Sequence, residues 1–144
     1  MEGPARTPVH LWIVGVLATV WNAFGAFDYV MTQTRNADYL ANFTDPQRVY
    51  FESFPVWMEA TWALGVWGGL MGSLLLLVRS RFAATAFAVS LAGLAVSTLY
   101  QYVLSTPPEA MTGGTMLVMN LVIWAVAIGL LVYAVKMRRT GVLR

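Results

Sequence analysis

The chain contains no cysteine and one histidine, and only 11% of its 144 residues carry charge. Without cysteine there is no disulfide, no thiolate metal site and no thiol redox chemistry. A lone histidine, His10, excludes a bis-histidine haem within one chain. It leaves His10 as at most a single axial ligand to a porphyrin, beside its commoner role as a polar residue at the headgroup level. A soluble domain is about a quarter charged. Here 58% of the residues are hydrophobic and the mean hydropathy is +0.64, which describes a membrane protein. The length holds four spans of ~20 residues with short connections and leaves nothing for a separate soluble domain, so residues 1–144 form one unit. The basic residues lie at helix ends, where orientation in a bilayer explains them, and the formal charge of +2 therefore implies no nucleic-acid partner.

Four apolar runs are present, over about residues 11–31, 56–78, 82–104 and 116–135. Arg79, Ser80 and Arg81 turn the chain between the second and third runs so tightly that these two must form an antiparallel hairpin. In the second run Gly65 and Gly69, like Gly68 and Gly72, are four residues apart, which puts small residues on one face and allows close approach of a neighbouring helix or of a second subunit. Seven basic residues, Arg6, Arg79, Arg81, Lys136, Arg138, Arg139 and Arg144, fall on one side of the bundle, against Arg35 and Arg48 on the other. That bias places both termini in the cytoplasm. The long connection over residues 32–55 contains Thr44-Asp45-Pro46-Gln47, a helix start with a cap and a proline in the first turn. It predicts a short interfacial helix over the outer end of a four-transmembrane-helix bundle, an all-α membrane protein.

The polar residues inside the spans carry the functional expectation. An ionised side chain near the centre of a membrane helix costs at least ~2.5 kcal/mol, less toward its end, so Asp28 and Glu59 need a reason to be there. By depth, Asp28, Glu59, Gln101 and Asn120 all lie ~5–6 Å inside the outer edge, with Asn22 nearer the midplane. Tyr29, Trp62 and Trp124 occur around the same levels. Such a ring suggests an outward-facing polar and aromatic pocket, in which ring faces stack on a sugar-like solute and polar groups pair with its hydroxyls. The competing role of these residues is structural. Asn22, Gln101 and Asn120 can join helices by hydrogen bonds, and Arg35, two turns beyond Asp28 if the helix continues, can pair with its carboxylate. No nucleophile–base pair, phosphate loop or metal-ligand spacing is present, so no enzyme activity and no cofactor is expected.

At Trp21-Asn22-Ala23-Phe24-Gly25-Ala26-Phe27-Asp28-Tyr29, through Thr32-Gln33-Thr34-Arg35-Asn36, and at Ala63-Leu64-Gly65-Val66-Trp67-Gly68-Gly69, the chain resembles a small four-span bacterial inner-membrane family. Members of that family often carry the label "sugar transporter", and the resemblance covers nearly the whole chain. It implies a bacterial inner-membrane location and the same four-helix plan. Four spans are few for an alternating-access transporter, so a carrier would work as a homo-oligomer, with the glycine faces as its contacts. The sequence thus leads to an oligomeric carrier or binder of a small polar solute, among membrane lipids. The alternative is an accessory subunit of a larger respiratory, photosynthetic or transport complex.

Overall fold

The computed structural model describes residues 6–144, and among them are four helices long and apolar enough to cross a membrane and no strand. They are α1 (Val9–Gln33), α4 (Val56–Leu77), α5 (Ala83–Leu99, continued by a π-helical turn over Tyr100–Leu104) and α6 (Gly114–Arg139). Two short helices, α2 (Ala37–Leu40) and α3 (Asp45–Glu52), lie between α1 and α4. α3 begins where its sequence predicts, since the Thr44 hydroxyl and the Gln47 side chain cap each other's backbone in a capping box. α6 outruns its apolar stretch because Lys136, Arg138 and Arg139 in its last turn complement the negative end of the helix dipole.

Three helix ends use one device. After α1, α4 and α6 the chain enters the left-handed region at Arg35 (φ 53°), Arg79 (φ 59°) and Gly141 (φ 79°). The next amide then reaches back over the last turn: Asn36 donates to Met31 at 3.1 Å, Ser80 to Leu75 at 2.8 Å and Val142 to Met137 at 3.0 Å. These are Schellman closures, and only the third places a glycine at the left-handed position.

α4 is the central helix, with α1 on one side and α5 on the other, while α6 leans on α5. The glycines settle the α4–α5 geometry. A Cβ at Gly65 or Gly68 would meet the backbone of Ser90, and one at Gly93 would stand 2.6 Å from the Gly65 nitrogen and 2.6 Å from the Thr61 carbonyl oxygen. Gly72 accepts the Phe87 ring, and Gly69 lies under Asn22 of α1. The glycine faces that the sequence offers to a neighbouring helix or a second subunit are therefore engaged inside the chain, by α5 and by Asn22 of α1.

Buried side chains gather at the two ends of the bundle. At the end where α1 begins and α6 finishes, Leu11, Leu76, Ala84, Phe87, Ala134 and Met137 pack with Val142 and Leu143 of the tail. The tail is pinned to the α4–α5 turn by backbone bonds from Arg144 to Arg79 (2.9 Å) and from Arg81 to Arg144 (3.0 Å). At the opposite end, Tyr50, Met58, Tyr100 and Met111 form a second core with Phe51 and Phe54, so that α2 and α3 make an aromatic lid. Between these two plugs the bundle is hollow.

Candidate functional site

The hollow is a cavity of about 480 Å³ bounded by all four long helices. α1 contributes Trp21, Asn22, Phe24, Gly25 and Asp28, and α4 contributes Trp62, Gly65, Val66 and Gly69. α5 adds Phe87, Ser90, Leu94 and Ser97, a stripe at the three- and four-residue spacing of one helix face. α6 closes the circuit with aliphatic side chains and Met119. The volume lies in the range of small-molecule sites, and the walls are mainly apolar.

Few polar atoms on these walls are uncommitted. The Asn22 amide nitrogen donates to Ala18 O at 2.8 Å and to Ser73 Oγ at 3.1 Å, which joins α1 to α4. Ser73 is fully buried and donates in turn to Gly69 O at 2.8 Å. Ser90 Oγ donates to Gly65 O at 2.6 Å, and Ser97 Oγ is 3.4 Å from the Thr61 hydroxyl. Asp28 is the one charged residue of the wall. Its Oδ1 accepts the Tyr39 hydroxyl from the lid, leaving Oδ2 without a partner among the described residues. Burial and, after it, the bond to Asp28 hold the Tyr39 phenol well above its ordinary pKa, so it stays a donor.

The predicted ring of polar residues is divided by this arrangement. Asn22, Asp28 and Trp62 line the cavity, and Tyr29 stands behind Trp62 in an edge-on stack at 4.9 Å. Glu59, three residues before the wall residue Trp62, and Gln101, four residues after Ser97, lie one turn nearer the lid and are not in the wall. Asn120 donates to Tyr102 Oη at 2.9 Å and Trp124 donates to Thr98 Oγ1 at 3.2 Å, so both clasp α6 to α5. The space between the rings at the lid end is filled by the protein itself. Phe54 packs edge-on against Trp62 (6.2 Å) and Tyr100 (5.6 Å), and Trp57 against Tyr100 (5.4 Å). Of the rings read from the sequence as a solute platform, Tyr29 stacks edge-on against Trp62 and Trp67, and Trp62 against Phe54.

Arg35 is not the partner of Asp28. α1 ends at Gln33 and the left-handed turn at Arg35 takes that side chain off the helical stripe, while Tyr39 occupies the carboxylate. The one ion pair among the described residues is Asp45 with Arg48 in α3. Glu59 likewise has no cationic partner among those residues.

The fourth side of the cavity is a seam between α1 and α6. The two helices are tied near the termini by a 2.5 Å hydrogen bond between His10 Nδ1 and Tyr133 Oη. Farther along, a shallow groove runs between Trp21 of α1 and the α6 residues Thr115, Val118, Met119 and Val122. Tyr39, Ser90, Ser97 and the α6 wall were not singled out from sequence. The serines had a readable signal, because Ser90 and Ser97 lie two turns apart on one face of α5. The chain matches no protein-family model, no curated protein and no solved structure.

Proposed function

We propose that this chain is an integral membrane protein that binds or carries a small ligand in its central cavity. The observation that supports the reading is a hollow of about 480 Å³ between two packed ends, faced by all four spans and by a single carboxylate. Interiors are otherwise packed to the density of organic crystals, so an unfilled volume of this size forfeits a large amount of dispersion energy unless something occupies it. The excess of arginine and lysine beside the termini orients the bundle with both ends in the cytoplasm and the aromatic lid outside, with α3 at the outer surface. A bacterial inner membrane, suggested by the family resemblance, is the setting that fits this orientation.

The test is native mass spectrometry of the protein taken gently from its own membrane into lipid nanodiscs, compared with Gly25→Trp. Gly25 faces the cavity, and a Cβ added there meets nothing within 4 Å, so the indole of Gly25→Trp has an open start from which to grow into the hollow. A small molecule carried by the wild type and lost from a folded Gly25→Trp supports the reading. Equal retention of every co-purifying small molecule by both proteins refutes it.

A second reading, an accessory subunit, is favoured by α6. Among its residues only Ala134 and Met137 are buried, and Leu117, Val118, Leu121 and Val132 are each more than half exposed. A stoichiometric unrelated chain in the same preparation would support that role.

A further inference from the structure

Resting on the binding reading above, we infer that the ligand is an amphiphile with an apolar body and one cationic head, received from the bilayer through the α1–α6 seam, its head seated on Asp28. Three observations lead there. The wall contains one carboxylate and no basic side chain, and the residue expected to neutralise that carboxylate, Arg35, lies outside. Oδ1 of Asp28 is held by Tyr39, so the carboxylate is oriented and its other oxygen is free to accept a charge-assisted hydrogen bond. Phe24, one turn away on the same helix, shares the wall with Trp21 and Trp62, so the cavity that holds Asp28 is also lined by aromatic rings of the kind that attract a cation.

The remaining walls argue against a polyhydroxylated solute. A sugar brings many hydroxyls that each lose a water partner, and Asn22, Ser90 and Ser97 already spend hydrogens on Ser73, Gly65 and Thr61 or share them there. What the other helices offer is Val66, Leu94, Ile123, Val126 and Leu130, a surface for hydrocarbon. The route follows from what is closed. The tail cluster plugs one end and the aromatic lid the other, whereas the groove between α1 and α6 shares Trp21 and Met119 with the cavity wall, which makes these two side chains the partition between the hollow and the lipid side.

Three isosteres of one naphthyl body distinguish the classes: naphthylethylammonium, naphthylethanol and naphthylacetate, with maltose as the polyhydroxylated probe. Binding is measured at pH 7 by equilibrium dialysis against the full chain in nanodiscs, with empty nanodiscs subtracted. The ammonium is expected to bind about ten- to a hundred-fold tighter than the alcohol, the worth of one charge-assisted hydrogen bond, with the carboxylate and maltose weakest. Asp28→Asn should bring the ammonium down to the level of the alcohol, and Asp28→Glu should restore the preference. Gly25→Trp should abolish all saturable binding. Equal affinities for ammonium and alcohol, or a preference for maltose or the carboxylate, overturn the ligand class while leaving the cavity reading intact. Wild-type binding that Gly25→Trp does not reduce overturns both. For the route, the chain's lack of cysteine makes a Trp21→Cys, Val118→Cys pair free of background. Bridging that pair with a short bis-maleimide should slow ammonium uptake at least ten-fold relative to the unbridged pair, and unchanged uptake overturns the lateral path.

Discussion

Replacing Gly93 with alanine tests how close α4 and α5 really are. The added Cβ would stand 2.6 Å from the Thr61 carbonyl oxygen and from the Gly65 nitrogen, both backbone atoms that no rotamer change can move. Ordinary contact begins near 3.4 Å, so the helices must part by about 0.8 Å at that level. Parting also stretches the 2.6 Å bond from Ser90 to Gly65 and the 3.4 Å contact of Thr61 with Ser97. Overpacking of this kind costs ~1–3 kcal/mol, and the preference of a helix for alanine over glycine returns ~0.5–1 kcal/mol, so the net loss is about 0–2.5 kcal/mol. Gly25→Ala is the matched control. Its Cβ meets nothing within 4 Å, only the helix preference remains, and stability should rise by ~0.5–1 kcal/mol. Thermal unfolding of both variants in lipid nanodiscs, followed by tryptophan fluorescence, should separate their midpoints by several degrees, with Gly93→Ala below wild type and Gly25→Ala above it. A Gly93→Ala protein that melts at or above Gly25→Ala would show that the α4–α5 seam is not closed backbone to backbone, and the argument for a hollow on its far side would fall with it.

Tyr39→Phe should loosen the lid by about 1 kcal/mol, a charged hydrogen bond reduced for its partly exposed setting, seen as faster proteolysis of residues 36–54. In the wild type the folded pKa of Tyr39 is raised, so the latch is fully present below the unfolded phenol value near ~10 and is lost as pH rises through the higher folded value. The same proteolysis assay should accelerate above about pH 10 in the wild type and less steeply in Tyr39→Phe. Arg35→Gly removes a non-glycine residue from the left-handed region and should raise stability by about 1 kcal/mol in thermal unfolding, leaving ligand binding unchanged. Asn22→Leu breaks the clasp to Ser73 and should cost about 1 kcal/mol, since Ser73 keeps its bond to Gly69 O.

Hydropathy makes the four spans legible, because a helix that crosses lipid needs little more than length and apolar composition, and the loop helix is legible from its cap at Thr44. The end of α1 is not. No local signal marks an arginine for the left-handed position, so extending the helical stripe to Arg35 produced an ion pair that the chain does not make. Depth along a helix is likewise readable at about 1.5 Å per residue, yet it is only one coordinate of a site. Glu59, Gln101 and Asn120 share a level with Asp28, but the lid folds into that level. Phe54 fills the gap between Trp62 and Tyr100, which moves the usable space a turn deeper. What creates the space is the same feature that closes the seam beside it. Gly65 and Gly69 bring α4 against its neighbours and, lacking side chains, leave the adjoining wall unfilled. α6, whose wall carries Met119, Ile123 and Leu130, packs on α5 and leaves α1 apart from it along the Trp21 groove. A glycine stripe in a small membrane bundle therefore has two consequences, a tight contact on one azimuth and a hollow on the next, and the neighbouring side chains decide which azimuth is which.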